Sequence, residues 1–203
     1  MIKRRRLLLT LPLLLAGCSK QRLPFENTDI TGKNIGGEFA LADCYTPRVP
    51  PSGCAAQAKL ANFQGKVVIL LFGYTSCPDI CPTALAKFTQ LLQQPGITPD
   101  TVQVIFISLD PTRDSPERLC EYTRWFHPSF IGLTGDSATI NEIATKFRVT
   151  SIKKEITGEM GYVLDHSAGA YVFGPDGRIR LYLAENARIE AITSDIRRLI
   201  AGE

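Results

Sequence analysis

The chain has 203 residues, a formal net charge of +3, 44 % hydrophobic residues and six cysteines. Four of its positive charges, Lys3, Arg4, Arg5 and Arg6, stand ahead of a run of leucines, and without those four the charge of +3 becomes −1. The rest of the chain is therefore too nearly neutral to offer a nucleic-acid-binding surface, and its length fits one domain with a substantial core.

The basic start, the apolar stretch from Leu7 to Leu15 and the closing Leu15-Ala16-Gly17-Cys18 have the layout of a secretory leader, too short for a comfortable membrane span. Leu-Ala-Gly-Cys resembles a bacterial lipobox, which implies that Cys18 is acylated and becomes the first residue of an envelope lipoprotein held on the membrane by its lipid. An ordinary leader with a chance cysteine is the alternative, and Arg4-Arg5-Arg6 is a weak hint of twin-arginine export. The expected division is a signal peptide over 1–17, a lipid-anchored tether over 18–35 and one domain over 36–203.

Within that domain, residues 36–41 predict a short strand. Residues 43–58 hold Cys44, Pro47, Pro50, Pro51, Gly53 and Cys54, a composition that reads as a loop. Cys44 and Cys54 enclose nine residues, which a structural disulfide can close, and no histidine lies nearby to favour a metal. Val67-Val68-Ile69-Leu70-Leu71-Phe72 is a continuous apolar run, the pattern of a strand buried on both faces. A helix follows, with Leu85, Phe88 and Leu92 on one face and Pro82 in its first turn, where a missing N–H costs nothing.

Residues 101–109 predict a second buried strand, which makes a βαβ unit with parallel neighbours and a right-handed crossover. Ser115 caps a helix over 116–126, with Pro116 in its first turn. Cys120 on that helix reads as a small buried hydrophobe, and His127 at its end as a cation suited to the helix dipole. Residues 130–135 read as a short strand, and Ile140, Ile143, Ala144 and Phe147 mark a third helix. Residues 149–163 are less regular and read as a hairpin turning near Gly158. Strands over 168–173 and 178–183 flank Gly174-Pro175-Asp176-Gly177, an antiparallel hairpin turn, and Ile189, Ile192, Ile196 and Leu199 define a closing helix.

Chemistry concentrates where the first buried strand meets its helix, at Cys77-Pro78-Asp79-Ile80-Cys81. Thiolate is the form that attacks disulfides and binds metals, and a helix N-terminus lowers a thiol pKa. Three residues between the cysteines leave the sulfurs close enough for a disulfide or for sharing one ion. Parallel central strands, a terminal antiparallel hairpin and an early cysteine pair predict a thioredoxin-like α/β fold, a mixed sheet flanked by helices. That fold would carry His166 opposite the cysteine loop. Two thiolates and one imidazole suit copper in either oxidation state, whereas zinc usually takes a fourth ligand. Asp165 or a backbone carbonyl could orient the ring, with Asp79 also placed in the surrounding shell.

Gly73-Tyr74-Thr75-Ser76-Cys77-Pro78-Asp79-Ile80-Cys81-Pro82, Asp110-Pro111-Thr112-Arg113-Asp114-Ser115-Pro116-Glu117, Phe130-Ile131-Gly132-Leu133-Thr134-Gly135 and Asp165-His166-Ser167 together resemble the Sco/SenC family. The resemblance implies a thioredoxin-like, membrane-anchored protein that helps assemble the binuclear copper centre of cytochrome c oxidase. By position it implies Cys77, Cys81 and His166 as copper ligands and the two cysteines as a reversible disulfide. The implied partners are the copper-centre subunit of the oxidase and other copper chaperones, met by a monomer anchored in the bacterial cell envelope and facing the periplasm or the outside of the cytoplasmic membrane. The same cysteines permit a second activity, a thiol-disulfide reductase in which Cys77 attacks and Cys81 resolves. A peroxidase is disfavoured because no arginine is near Cys77 in sequence. The loop over 43–58 departs from the family pattern. The Asp110, Arg113 and Asp114 cluster reads either as an ion pair fixing its loop or as a partner surface.

Overall fold

The structure is a computed structural model that describes residues 23–43, 57–158 and 161–203. In chain order it contains β1 (Thr28–Asp29), β2 (Ala40–Asp43), β3 (Gln57–Lys59), β4 (Val67–Gly73), α1 (Ile80–Leu92), β5 (Val102–Ser108) and α2 (Pro116–Phe126). There follow β6 (Ile131–Thr134), α3 (Ser137–Lys146), β7 (Ser151–Glu155), β8 (Tyr162–His166), β9 (Ala170–Phe173), β10 (Ile179–Leu183) and α4 (Ile189–Ile200). Eight strands form one sheet in the order β1-β10-β9-β4-β5-β6-β2-β3, and β7 and β8 pair by themselves.

The centre of the sheet follows from the apolar runs. Every residue of β4 and β5 is buried, and the two strands pair in parallel across the α1 crossover. Side chains alternate across a strand, so Val67, Ile69 and Leu71 face one side with Leu85 and Phe88 of α1, Leu119 of α2 and Ile192 and Ile196 of α4. Val68, Leu70 and Phe72 face the other side with Ile140 and Ile143 of α3, Phe147 and Tyr171. Strand β9 runs antiparallel to β4, closing a mixed sheet with helices on both faces. This is the thioredoxin-like architecture that the element order predicts.

The helix starts have local causes. Ser115 Oγ accepts from the Arg118 N–H ahead of α2, with Pro116 at the first position, and Asp136 caps α3 through the Thr139 N–H. Helix α1 starts at Ile80, earlier than the apolar periodicity marks, so both Cys81 and Pro82 lie in its first turn.

Several expectations need correction. The segment over 23–35 is part of the fold and no loose tether. Thr28 and Asp29 pair with β10, Ile30 is buried, and the fully buried Asp195 carboxylate accepts from the Glu26 N–H, the Asn27 N–H and the Asn27 amide at 2.8–3.0 Å. A carboxylate 169 residues downstream supplies those acceptors, which no local pattern could show. The strand expected over 36–41 forms later, at Ala40–Asp43, where β6 and β3 offer antiparallel edges. Burial lowers the His127 pKa, which works against the cation expected at the α2 end, and its Nδ1 accepts from the Ser129 N–H. Cys120 is half-buried and disulfide-bonded, while Cys77 and Cys81 are free thiols. The expectations on Cys18 and on a Cys44–Cys54 bridge lie outside the described residues. No described helix is long and apolar enough to cross a membrane.

Candidate metal centre

The cysteine loop leaves the C-terminal end of β4 and returns as α1. Cys77 is 8 % exposed and Cys81 only 2 %, so the first sulfur is the more accessible. Gly73 makes this packing possible: a Cβ there would stand 2.5 Å from Cys81 Sγ and 2.8 Å from the Phe106 ring. His166 arrives from the end of β8, whose partner strand β7 sets Ser151 opposite it. The donor atoms of Cys77, Cys81 and His166 lie within 4.8 Å of one another, with Nε2 of His166 3.5 Å from Cys81 Sγ.

The ring orientation is fixed by its other nitrogen. Nδ1 donates to the Ser167 carbonyl oxygen at 3.0 Å, which turns Nε2 toward the sulfurs. Tyr74 packs edge-on against the imidazole at a centroid distance of 5.8 Å. Asp165, one candidate for that orienting role, sends its carboxylate outward to Lys154 Nζ at 2.7 Å, because neighbours on a strand face opposite sides. The backbone carbonyl takes the role instead. Asp79 acts at the sulfurs through its main chain: its N–H and that of Cys81 point at Cys77.

The two sulfurs form a coupled pair that holds one proton. The hydrogen bond from Cys81 brings the Cys77 thiol down to about 3, against the opposing effect of burial and with help from His166. The same bond, then burial, pushes Cys81 above the ordinary thiol range. The site thus has a ready thiolate at its mouth and a protonated sulfur behind it. Beside them opens a cleft lined by Ile80, Ala84, Lys87, Phe88 and Leu183 among others.

Asp114, which the sequence leaves between a loop-fixing ion pair and a partner surface, holds the loop together with Arg118. Asp114, 1 % exposed, accepts from the Thr75 N–H at 3.0 Å, the Thr75 hydroxyl at 2.6 Å and the Ser108 hydroxyl at 2.6 Å. Arg118 donates to Thr75 Oγ1 at 2.7 Å and to Ser76 Oγ at 3.2 Å. An arginine therefore does reach the cysteine loop, from the first turn of α2, although none is near it in sequence. Strand β8 was equally hidden, because the pattern places His166 just before β9, yet the residue ends a strand of its own.

Two thiol sulfurs and an imidazole nitrogen are a soft set of three, and no fourth Cys, His, Asp or Glu joins the group among the described residues. That composition fits copper better than zinc, which usually completes a tetrahedron.

A family model described as SCO1/SenC matches residues 28–201. The bovine "Protein SCO2 homolog, mitochondrial" is 38 % identical over 145 residues, covering 70 % of this chain and 54 % of that protein. The matched stretch thus spans about half the length of this relative. The copper-bound structure of ScoI from Bradyrhizobium japonicum is 34 % identical with a TM-score of 0.69, covering 81 % of this chain and 99 % of that one. BsSco, described with a disulfide switch as a member of the Sco family of cytochrome c oxidase assembly proteins, aligns with a TM-score of 0.60 at 23 % identity, over 91 % and 100 % of the two chains. At that identity the likeness to BsSco speaks for the fold alone.

Proposed function

The chain belongs to the SCO1/SenC family, and on that premise we propose that it binds one copper ion between Cys77, Cys81 and His166 and hands it on during assembly of cytochrome c oxidase. The observation that carries the reading is the convergence of three soft donors within 4.8 Å across 85 residues of sequence. Copper is the cargo here, and an assembly factor must release it as well as hold it. Three ligands suit that need, since a position stays open for a donor from the acceptor protein. Cys77 at the mouth is the first ligand an acceptor thiolate meets, and Cys81 and His166 form the rear of the site. The acceptor is the copper-centre subunit of the oxidase, and loading comes from another copper chaperone. Lipid anchoring through Cys18 would hold this exchange at the outer face of the cytoplasmic membrane.

The test is a copper titration of the reduced protein against a competing chelator, in the wild type and in His166→Ala. Loss of one of three ligands is expected to weaken binding at least about tenfold, the scale on which even outer-shell changes act. Equal affinity in the two proteins would remove the three-donor site.

A second reading is favoured by the split between the two thiols. Cys77 as thiolate attacks a partner's disulfide, forming a mixed disulfide and releasing one partner thiolate. Cys81 then gives up its proton and attacks Cys77 Sγ, which frees the second partner thiolate and leaves Cys77–Cys81 oxidised. Two electrons pass to the partner, whose copper-ligand cysteines emerge reduced. The roles are compatible, because copper binds only the reduced pair. A His166→Ala protein that keeps its full function in cells would favour this chemistry over metal delivery.

A further inference from the structure

The stretch from Ser108 to Asp114 joins β5 to α2 and contributes no donor atom to the metal centre, yet it touches both halves of it. One arm is Asp114, bonded to Thr75 in the cysteine loop. The other arm is Arg113 with Asp110. Arg113 Nε donates to Asp110 Oδ2 at 2.5 Å, and its Nη1 donates to the Tyr162 carbonyl oxygen at 3.0 Å. Its guanidinium carbon lies 3.6 Å from the centre of the Tyr162 ring and 5.6 Å from that of Tyr74. The Tyr162 hydroxyl donates to Asp110 Oδ1 at 2.8 Å. The arms share a frame, since the Asp114 N–H donates to the Asp110 carbonyl oxygen at 2.9 Å and Ser108 Oγ accepts from the Asp110 N–H at 2.9 Å.

This matters because β7 and β8 form a sheet of their own. An isolated two-stranded hairpin is marginal in water, so its position must come from contacts elsewhere. Tyr162, Leu164 and His166 alternate onto one face of β8. Tyr162 is gripped by Arg113 and Asp110, the Leu164 N–H donates to Tyr74 Oη at 3.2 Å, and His166 follows at the sulfurs. We propose that Arg113 is a positioning residue for the metal centre. With Asp110 it clamps the hairpin that carries His166 to the same loop that anchors the cysteines, so the loop sets the distance between imidazole and sulfurs.

The inference rests on the three-donor reading, and the experiment separates the two. Copper affinity of the reduced protein is measured by chelator competition in the wild type, Arg113→Gln, His166→Ala and the double variant. Arg113→Gln is expected to weaken binding about ten- to a hundredfold, the range typical of residues that orient a ligand. In the His166→Ala background the same change should cost less than about threefold, because there is no ring left to position. The dithiol–disulfide equilibrium against glutathione should stay within about threefold of wild type in Arg113→Gln. Hydrogen exchange at the Leu164 amide should quicken in the metal-free protein. Tyr162→Phe removes only the hydroxyl link to Asp110 and guards against a variant that fails to fold; it should show a smaller loss in the same direction. Equal losses from Arg113→Gln in both backgrounds, or none in the presence of His166, would overturn the clamp alone. Unchanged affinity in His166→Ala would remove the three-donor reading and the clamp together.

Discussion

At the scale of single residues, the sulfur pair is the chemistry. Because its pKa is lowered, Cys77 remains a thiolate throughout the neutral range and loses that form only as pH falls toward about 3. Alkylation of the reduced protein by iodoacetamide, followed at the Cys77 peptide, should therefore proceed at a rate nearly flat from about pH 5 to 8, where an ordinary thiol with a pKa of about 8.5 would climb steeply. A rate that rises through that window would contradict the shared-proton pair. Gly73 is the other residue on which the site turns. Gly73→Ala would drive a methyl into Cys81 Sγ and the Phe106 ring, contacts of 2.5 and 2.8 Å that buried groups cannot yield cheaply. Overpacking of this kind costs about 1–3 kcal/mol, and the variant should lose copper affinity along with stability in denaturant titrations. Cys77 and Cys81 could be singled out by chemistry and spacing and His166 by the place the expected fold gives it, whereas Gly73 became visible only when β5 supplied Phe106 beneath it.

At the scale of elements, the two ends of the chain are locked by one buried acid. Asp195 on α4 satisfies two main-chain N–H groups and an amide of the segment leading into β1, while Arg198 approaches at 3.9 Å. Asp195→Ala leaves those donors without their acceptor, and each buried unmet donor costs about 1–3 kcal/mol. The expected result is a stability loss of about 2 kcal/mol or more with faster hydrogen exchange across residues 26–30, and no change in the alkylation profile of Cys77. Exchange confined to the cysteine loop would count against this assignment. The buried strands, the amphipathic helices and the Pro-Asp-Gly turn were legible because each follows a local rule of period or turn chemistry. Strands β1 and β3 were not, since two or three residues carry no period and become strands only because β10 and β2 offer an edge.

At the scale of the whole molecule, binding and stability are linked. A ligand that joins only the folded chain stabilises it by about 2.7 kcal/mol when present at a hundred times its Kd. For a chain of this size each kcal/mol is worth roughly 2–4 °C, so copper(I) under reducing conditions should raise the Tm by about 5–10 °C. The same addition to the oxidised protein should give little shift, because a Cys77–Cys81 disulfide offers no thiolate. An equal shift in both redox states would place the metal elsewhere. The eight-stranded sheet has two cores packed on its faces, and the cysteine loop leaves it at the C-terminal end of β4.

By themselves, the residues along the chain determined the layered α/β architecture and the placement of the cysteine pair at a strand-to-helix junction. Periodicity and donor chemistry are local properties, and they survive without coordinates. Only the tertiary structure decided that residues 23–35 belong to the fold, that Cys120 is bridged, that Ser167 and not Asp165 orients the imidazole, and that Arg113 and Asp114 brace the two halves of one site. Each of those outcomes joins groups distant in sequence, or selects between neighbours by the face they occupy. Such pairings are settled by how the chain closes on itself, which no window of adjacent residues records.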